Sequence, residues 1–411
     1  MFYIKLCKIY FTFLTFIIIL KIMKYTRLKI MALAATLTLF LSACSSANAK
    51  KENLKLSSGE WNTNYTYVFV HGLSGWGHYD FQNKFFPYWG LKNGSLMKAL
   101  RKEGFKTYDA SVAPHGSAWD RACELYAQLT GSITDYGKEH SERCGHARYG
   151  KDFSKNPLIP AWDSENKINI LGHSFGGVTV RLLAHLMDQG SLAEQEATPA
   201  EELSPLFAGG HADWFYSVTS LAAPHNGTSV YHIPDENPAP KTGRQKAMDK
   251  ANTAKKDGRA DYDYADFDMH IQNAEEINKW LTTLQNVYYF SFPCSATKMA
   301  EDGTQEPIPQ MMEEMFQRSS LRMGRFEGVT FDGISLGKEW QENDGLVNTI
   351  SAMAPDYAPQ KRFTVNTVPE KGIWYIMPTY KGDHMALQGG FTIKNDINDF
   401  YIEHLNLINQ L

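Results

Sequence analysis

Apolar runs of strand length alternate with helical repeats along most of the chain, from about residue 65 to the C-terminus. The runs of strand length are YTYVFVHG, FKTYDASVAP, INILGHS, WFYSVTSLAAP and NVYYFSFPC. Other segments repeat their apolar residues at helical spacing: GSLMKALRKEGF, GGVTVRLLAHLMDQG and the closing NDINDFYIEHLNLINQL. Short strands that alternate with helices pack as a mostly parallel sheet with helices on both faces, so the pattern predicts an α/β fold.

Three stretches interrupt this alternation and are interpreted as insertions into one domain that spans residues 50–411. Residues 231–266 are polar and rich in Pro, Lys and Asp, and residues 297–335 are rich in methionine and weakly periodic. The third insertion lies near residues 115–150. Surface loops accept long insertions at little entropic cost, so we expect a single domain rather than several.

The first 49 residues differ in composition from the rest of the chain. Residues 23–49 show a basic start, an apolar stretch and then small residues, the pattern of an export signal. The apolar stretch, residues 32–41, is too short for a stable membrane span. We therefore predict that residues 1–49 are a removable export leader. Two alternatives stay open: Met23 is the true start, or residues 9–22 form a short membrane segment.

Two cleavage sites compete at the end of this leader. The run Leu41-Ser42-Ala43-Cys44 resembles the lipobox of bacterial lipoproteins, in which the cysteine thiol receives a lipid. The run Ala47-Asn48-Ala49 instead fits ordinary signal peptidase. The first reading predicts a protein held at a membrane face through a lipidated Cys44, and the second predicts a secreted protein.

Composition and charge narrow the possible functions. The chain of 411 residues is 43% hydrophobic and 21% charged, which is ordinary for a globular protein. Its formal net charge of −4 leaves no basic field to hold nucleic acid. The chain has five cysteines, an odd number, and no CxxC motif, so it is not a disulfide scaffold and allows at most one bridge in the body.

The strongest chemical signal is the stretch Gly-His-Ser-Phe-Gly, residues 172–176, where the apolar run INIL turns into a helical segment. Glycines at 172 and 176 let the strand and the helix approach closely, and the serine between them is forced into a tight, strained turn. The helix N-terminus behind it offers free N–H groups and a positive dipole end. The pattern predicts that Ser174 is a nucleophile.

A serine nucleophile needs a base, and the base needs an acid to orient it. In this architecture the chain order is serine, acid, histidine. His384 in TYKGDHMALQGG and Asp344 in WQENDGLVNT suit these roles, with Glu342 as the reserve acid. Asp383 adjoins the histidine and cannot easily orient its ring. His225 comes too early, in the tight turn LAAPHNGT, and is interpreted as structural.

An oxyanion hole should lie beside this group. The loop VFVHGLSGWG follows the first core strand, which is where the second N–H donor of such sites comes from. The predicted donors are the backbone N–H groups of Leu73 and Phe175. Serine acyl transfer of this kind needs no organic cofactor.

Taken together, these stretches resemble the secreted lipases of bacteria of the thermoalkalophilic and staphylococcal type, which are α/β-hydrolases. The matching runs are VHGLSGWG, YWG, WDRACELYAQL, TDYGKEH, GHARYG, GHSFGG, SVTSLAAPHNGT, ENDGLVNT and GDH, from about residue 67 to 385. The resemblance implies the same triad, Ser174, Asp344 and His384, and the same oxyanion donors, Leu73 and Phe175.

The resemblance also implies a structural zinc ion held by two aspartates and two histidines. The residues carried over are Asp120 in AWDRACE, His140 and His146 in GKEHSERCGHARYG, and Asp268 in DFDMHIQNAEEIN, with Asp266 as its rival. The residues alone are a weak signal, since two histidines six apart with distant acids also occur in solvated loops. Four such ligands would fill a closed tetrahedral site.

Two departures from the family pattern matter. Family members bind calcium through an acidic residue two places after the catalytic histidine, where this chain has Ala386, so no calcium site of that kind is predicted. The family lid carries an apolar helix, whereas the only helical piece here, GRQKAMDKANTAKKDG, has almost no apolar face. This predicts a reduced lid that cannot seal an apolar cleft.

The favoured function is an exported carboxylic ester hydrolase that works through an acyl-enzyme and acts on an ester or lipid substrate, without an obligatory protein partner. Within it, a true triacylglycerol lipase competes with an open-groove esterase for short-chain or polymeric esters. A remote alternative is a surface lipoprotein that binds lipid or a partner with an inactive hydrolase fold.

Overall fold

A parallel sheet of seven strands forms the centre of the molecule in the computed structural model, which describes residues 60–91, 93–234 and 258–411. All of these residues belong to one compact unit. In chain order the strands are β1 (Thr66–Val70), β2 (Thr107–Ala110), β3 (Ile168–His173), β4 (Phe215–Leu221), β5 (Tyr288–Phe292), β6 (Gln360–Arg362) and β7 (Trp374–Ile376).

The strands lie side by side in the order β6-β7-β5-β4-β3-β1-β2, and every neighbouring pair is parallel. Strands β3 and β4 are buried along their whole length, in keeping with their mainly apolar sequences. In register, Val70 of β1 lies opposite Gly172 of β3, which lies opposite Ser220 of β4. The carboxyl ends of these three strands therefore meet at one edge of the sheet.

Ten helices lie around this sheet in the described ranges. They are α1 (Leu96–Lys102), α2 (Ala118–Thr130), α3 (Lys138–Cys144), α4 (Phe175–Gln189), α5 (Leu192–Ala197), α6 (Pro205–Ala208), α7 (Ala265–Asp268), α8 (Ile271–Trp280), α9 (Glu314–Arg325) and α10 (Asn398–Gln410). Short 3-10 turns complete them at Phe81–Lys84, Ala212–Trp214, Ser229–Tyr231, Lys338–Trp340 and Ala386–Gln388.

Helix α4 is buried on all sides from Phe175 to Met187 and packs against β3, β4 and α2. Helix α2 begins where the Ser117 hydroxyl accepts the N–H of Asp120, a side-chain N-cap, and ends at Gly131 in the left-handed region. Most of its residues are buried, among them the charged Arg121. The stretch near residues 115–150, predicted to be an insertion, therefore begins with a helix that packs in the core.

Four short strand pairs lie outside the central sheet. They are Ile133–Asp135 with Tyr149–Asp152, Cys294–Ser295 with Tyr380–Lys381, Thr297–Met299 with Gln305–Pro307, and Gly328–Val329 with Ser335–Leu336. The last two pairs and α9 give the stretch 297–335 a defined structure that its weak periodicity did not predict.

The α/β prediction is confirmed, and each of the five predicted strands and three predicted helices is present. None of the helices in the described ranges combines the length and the hydropathy needed to cross a bilayer. Cys123, Cys144 and Cys294 are buried free thiols. The predicted leader, Cys44 and residues 235–257 of the predicted lid lie outside the described residues.

Candidate functional site

Ser174 occupies a strained corner between β3 and α4. Its φ of 55° and ψ of −130° lie where side chains other than glycine are disfavoured. A Cβ built on Gly172 would lie 2.2 Å from the carbonyl oxygen of Gly176, and one on Gly176 would lie 2.4 Å from that of Val70. The two glycines therefore let strand and helix close on each other, and the serine is fixed at the carboxyl edge of the sheet.

The structure brings Ser174, His384 and Asp344 into one hydrogen-bonded line. The Ser174 hydroxyl lies 2.7 Å from His384 Nε2, and His384 Nδ1 lies 2.8 Å from Asp344 Oδ2. All three side chains are buried. The arrangement satisfies the geometry of a nucleophile, its base and an orienting acid, although 210 residues separate the serine from the histidine.

Asp344 is fixed by the turn that follows it. Its Oδ1 accepts the N–H groups of Leu346 and Val347 at 3.0 and 2.7 Å, which leaves Oδ2 for the imidazole. The His384 N–H donates in return to the Asp344 carbonyl at 2.9 Å. Ring and acid are thus joined through both side chain and backbone.

The residues set aside from the sequence lie elsewhere. Asp383 accepts the N–H groups of Met385 and Glu313 and does not contact the His384 ring. Glu342, the reserve acid, forms a surface ion pair with Lys381 at 3.8 Å. His225 is buried and its Nε2 lies 2.7 Å from the Ser220 hydroxyl, in keeping with a structural role.

The N–H groups of Leu73 and Phe175 are suited to hold an oxyanion. Phe175 is the first residue of α4, so its N–H has no acceptor within the helix. Leu73 lines the cleft beside Ser174. His71 donates from Nδ1 to the Gly72 carbonyl at 2.8 Å while its Nε2 accepts the Val112 N–H at 3.2 Å. Because C=O and N–H point in opposite directions across a trans peptide, this bond turns the Leu73 N–H away from His71.

A second buried network supports the same corner. The Gly72 N–H donates to the Tyr88 hydroxyl at 3.2 Å, and that hydroxyl lies 2.7 Å from His173 Nδ1. His173 Nε2 in turn lies 2.8 Å from the His384 carbonyl oxygen and is its donor. Burial, together with the nearby His384, lowers the pKa of His173 to about 3, so His173 stays neutral. The network therefore joins the loop at Gly72 and the loop at His384 to the end of β3 at His173, next to Ser174.

An open cleft of about 760 Å³ lies over the serine. Its walls are mainly apolar and include Tyr88, Met269, Phe316, Leu346 and Phe391, with Ser174 and His384 at the base. Such a cleft accommodates an acyl chain or another apolar group next to the nucleophile.

A separate polar cluster matches most of the predicted metal ligands. His140 Nε2 lies 3.2 Å from Asp120 Oδ1 and 3.3 Å from Asp263 Oδ1. His146 Nε2 lies 3.4 Å from Asp263 Oδ2 and 3.7 Å from Asp120 Oδ1. Helices α2 and α3 and the segment before α7 each contribute to this cluster, which joins three parts of the chain.

The fourth member of the cluster is Asp263, and the predicted Asp268 does not face the two histidines. The Asp268 carboxylate accepts the Ala118 N–H at 2.7 Å, at the start of α2, and burial raises its pKa to about 7. The rival Asp266 is exposed. The sequence holds the right signal, because Asp263 lies in the same acidic run, DYDYADFD, but spacing alone does not show which acid faces the histidines.

The residues present fit a tetrahedral metal ion. Bonds of 2.0–2.1 Å place tetrahedral ligands about 3.3 Å apart, which is close to the separations between the histidine nitrogens and carboxylate oxygens. His146 Nε2 is buried and has no hydrogen-bond partner, as expected for a nitrogen that a metal would occupy. Arg259 binds Asp120 Oδ2 and lies 3.3 Å from Asp263 Oδ2, and Cys144 Sγ lies 3.8 Å from His140 Nδ1, next to the cluster.

The sheet order and the strained serine turn define an α/β-hydrolase, and solved structures agree. The chain is similar to EstA from Clostridium botulinum, with 29% identity and a TM-score of 0.74, covering 87% of this chain and 90% of that one. It is also similar to Staphylococcus hyicus lipase, with 28% identity and a TM-score of 0.70, covering 84% and 96%.

Curated sequences point to the same group. The chain is 32% identical to a lipase of Staphylococcus hyicus over 79% of its length and 30% identical to one of Staphylococcus epidermidis over 84%. It spans about half, 53%, of the length of these relatives. The model of the family described as lipase-like, C-terminal domain, matches residues 63–262 and 250–408. The chain belongs to this lipase family, which confirms the resemblance seen in the sequence.

Proposed function

We propose that the protein is a carboxylic ester hydrolase that works through a Ser174 acyl-enzyme. The observation that carries the proposal is the buried line from the Ser174 hydroxyl through the His384 ring to the Asp344 carboxylate. Membership of a lipase family and similarity to a lipase and an EstA structure support it.

In this mechanism His384 Nε2 takes the proton of Ser174 as the hydroxyl oxygen attacks the ester carbonyl carbon. Asp344 holds the imidazole in the required tautomer and stabilises its positive charge. The N–H groups of Leu73 and Phe175 stabilise the oxyanion of the tetrahedral intermediate. His384 then protonates the leaving alcohol, and water attacks the acyl-enzyme by the same route in reverse.

The cluster of Asp120, His140, His146 and Asp263 is proposed to hold a structural zinc ion. Asp and His are suitable zinc ligands, and four protein ligands leave no open position for a substrate. The ion would therefore join α2, α3 and the segment before α7, and would take no part in ester cleavage. Arg259 would orient the two carboxylates from outside the ligand set. No calcium and no organic cofactor enter the proposal.

Two features bear on the substrate. Phe81, Phe85 and Phe86 are 72%, 65% and 62% exposed, and they lie on the loop whose Trp76 and Gln82 line the cleft. Exposed apolar groups at the mouth of a binding cleft favour substrates presented as an aggregate or a polymer surface. A cleft with this rim favours an esterase that acts on bulky or insoluble esters, in line with the reduced lid predicted from the sequence.

The test of the enzymatic proposal compares the wild type with Ser174→Ala on nitrophenyl esters of increasing chain length, above and below their solubility limits. We expect hydrolysis and labelling by a fluorophosphonate probe in the wild type, and loss of both in the variant. A wild-type protein that neither labels nor hydrolyses would instead favour an inactive lipid-binding fold. Strong activation at the solubility limit would contradict the open cleft and favour a true triacylglycerol lipase.

The exposed phenylalanines Phe81, Phe85 and Phe86 form the rim of the cleft, and their proposed role in binding insoluble substrate is tested by replacing Phe81 and Phe85 with serine. Rates on a dissolved short-chain ester should stay unchanged, whereas rates on an emulsion should fall several-fold because adsorption weakens. Leu192→Ser is the matched control, since Leu192 is 69% exposed but follows the far end of α4. Equal losses in both proteins would show that the rim has no special role.

Export remains part of the proposal and rests on residues 23–49 of the sequence. Cys44→Ser should release the protein from membranes if the lipobox is used, and unchanged membrane association would count against a lipid anchor.

A further inference from the structure

Glu313 is a buried carboxylate that the proposed mechanism does not use. It immediately precedes α9, and only 2% of its surface is exposed. A buried carboxylate is costly unless hydrogen bonds or charges compensate it, so its partners show what it stabilises.

The side chain binds a tight turn of the loop that follows His384. Glu313 Oε1 accepts the N–H groups of Phe391, Thr392 and Ile393 at 2.5–2.9 Å, and Oε2 accepts the Thr392 hydroxyl. Successive N–H groups that converge on one oxygen form an anion-binding concavity. One carboxylate therefore fixes three consecutive peptide groups.

The backbone of Glu313 binds the other end of the same loop. Its N–H donates to Asp383 Oδ2 at 2.7 Å, and Asp383 Oδ1 accepts the Met385 N–H at 3.0 Å. His384 lies between these two residues. Glu313 thus joins the residues on both sides of His384 to the turn at 391–393.

The same contacts set one wall of the cleft. Phe316 on α9, Met385 and Phe391 all line the cleft above Ser174. Phe316 and Met385 belong to a small buried apolar cluster with Met312 and Ala296, and Phe391 packs against it. A shift of the Glu313 carboxylate would therefore move both the base and the surface that an acyl chain contacts.

The charge of Glu313 suits this role. Burial opposes its ionisation, but the hydrogen bonds from Thr392 and from the N–H groups of 391–393 outweigh burial and lower its pKa. The carboxylate is an anion at neutral pH, and charge-assisted hydrogen bonds are roughly twice as strong as neutral ones.

We propose that Glu313 is a positioning residue for ester hydrolysis: its carboxylate clamps the loop 391–393 against α9, and this fixes both the His384 backbone and the acyl-facing wall of the cleft. The inference rests on the proposed esterase function of the same site. It predicts effects on turnover and on chain-length preference, and not on stability alone.

The experiment compares Glu313→Gln and Glu313→Ala with the wild type, with active sites counted by burst titration with a nitrophenyl phosphonate. Turnover per titrated site should fall at least fivefold in E313Q, which keeps one acceptor oxygen, and tenfold or more in E313A. The ratio of kcat/KM for octanoate to that for butyrate should also change, because the wall formed by Phe316 and Phe391 moves. If E313A does not fold, E313Q decides the question.

Glu194→Gln is the matched control. Glu194 is also buried and accepts two backbone N–H groups, those of Glu139 and His140, but it lies on α5 and binds the first turn of α3. This variant should lower the melting temperature and leave turnover per site and chain-length ratio unchanged.

The positioning role of Glu313 is contradicted if E313Q and E313A behave like E194Q. That outcome would be a lower melting temperature with turnover per site within twofold of the wild type and an unchanged chain-length ratio. If the phosphonate does not label the wild-type protein, the proposed esterase function is wrong, and the positioning role that depends on it is wrong as well.

Discussion

The serine corner and the histidine–aspartate cluster are both built from buried polar side chains, yet they reach stability in different ways. At the serine corner the three side chains of the triad have partners within the chain: Ser174 with His384, His384 with Asp344, and Asp344 with two backbone N–H groups. At the cluster, two carboxylates and two imidazoles share a small volume, and His146 Nε2 has no hydrogen-bond partner.

The difference teaches what each region requires. A self-sufficient network can be weakened without unfolding the protein, because removing one member leaves the backbone hydrogen bonds of the others. A cluster of two aspartates and two histidines brings four possible metal ligands together, and a bound metal ion would stabilise the folded state. Changes at the first region should therefore affect rate, and changes at the second should affect stability.

The sharpest expected effect is that of Asp344→Asn. An amide facing His384 Nδ1 favours the wrong imidazole tautomer, and replacements of this kind reduce kcat by about 10⁴-fold. The melting temperature should change little, because the Asn oxygen still accepts the N–H groups of Leu346 and Val347. Glu342→Gln, which alters the half-buried reserve acid, should retain full activity. A stable D344N protein with near-normal kcat would remove Asp344 from the mechanism.

The second effect concerns the metal cluster. Asp263→Asn should lose bound zinc, measured by elemental analysis, and should melt at least about 10 °C lower, since structural zinc contributes folding free energy outright. Prolonged chelation of the wild type should do the same. Asp268→Asn is the control and should keep the metal, because an Asn oxygen can still accept the Ala118 N–H. Equal zinc content in D263N and wild type would contradict the ligand set.

The third effect is a loss of stability in acid. Burial lowers the pKa of His71, His173 and His404 to about 3. The unfolded chain binds these protons at about pH 6.5 and the folded chain only near pH 3. The contribution of these neutral histidines to the free energy of unfolding is therefore complete above pH 6.5. It is lost as the pH falls towards 3, by up to a few kcal/mol for each group. Burial raises the pKa of Glu124 to about 7, which acts in the opposite sense.

The part of this acid-induced loss of stability that is due to one histidine can be measured with His404→Gln, in which the amide can keep the hydrogen bond to Thr219. Denaturant unfolding between pH 7 and 4 should show a shallower loss of stability in this variant than in the wild type. The exposed His78, changed to Gln, should reproduce the wild-type slope. If stability fell equally steeply with pH in all three proteins, the buried His404 would not contribute to the loss of stability in acid.

The smallest effect should come from Tyr88→Phe, which removes the hydroxyl between the Gly72 N–H and His173. A neutral hydrogen bond of about 1 kcal/mol corresponds to roughly a fivefold change, so kcat should fall between twofold and tenfold with KM unchanged. A drop in melting temperature with an unchanged kcat would indicate that this network stabilises the fold without positioning the site.

The sequence carries a strong signal for the serine corner because its geometry is local. Two glycines, a strand and a helix meet within a few residues, and close packing of Gly172 against Gly176 requires that spacing. Asp344 and His384 could be predicted because the chain order of this architecture leaves few candidates. Tyr88 and His173 were missed as partners, since their roles depend on contacts between distant segments.

Other features could not be read from the chain. The edge strand β6, Gln-Lys-Arg, is exposed at every residue and has no apolar pattern to reveal it. Asp263 and Asp268 lie five residues apart in one acidic run, and only the path of the chain into α7 decides that the first faces the histidines. Glu313 lies in a methionine-rich stretch whose periodicity is weak, and its partners are backbone groups, which no side-chain pattern marks.

The positive φ of Ser174 has a consequence for any attempt to improve the protein's resistance to heat. A non-glycine residue in such a conformation costs of order 1–3 kcal/mol, which a glycine at position 174 would recover while erasing the nucleophile. Selection for thermal tolerance alone would therefore enrich dead variants, so a library built on this scaffold has to be sorted by turnover as well as by heat.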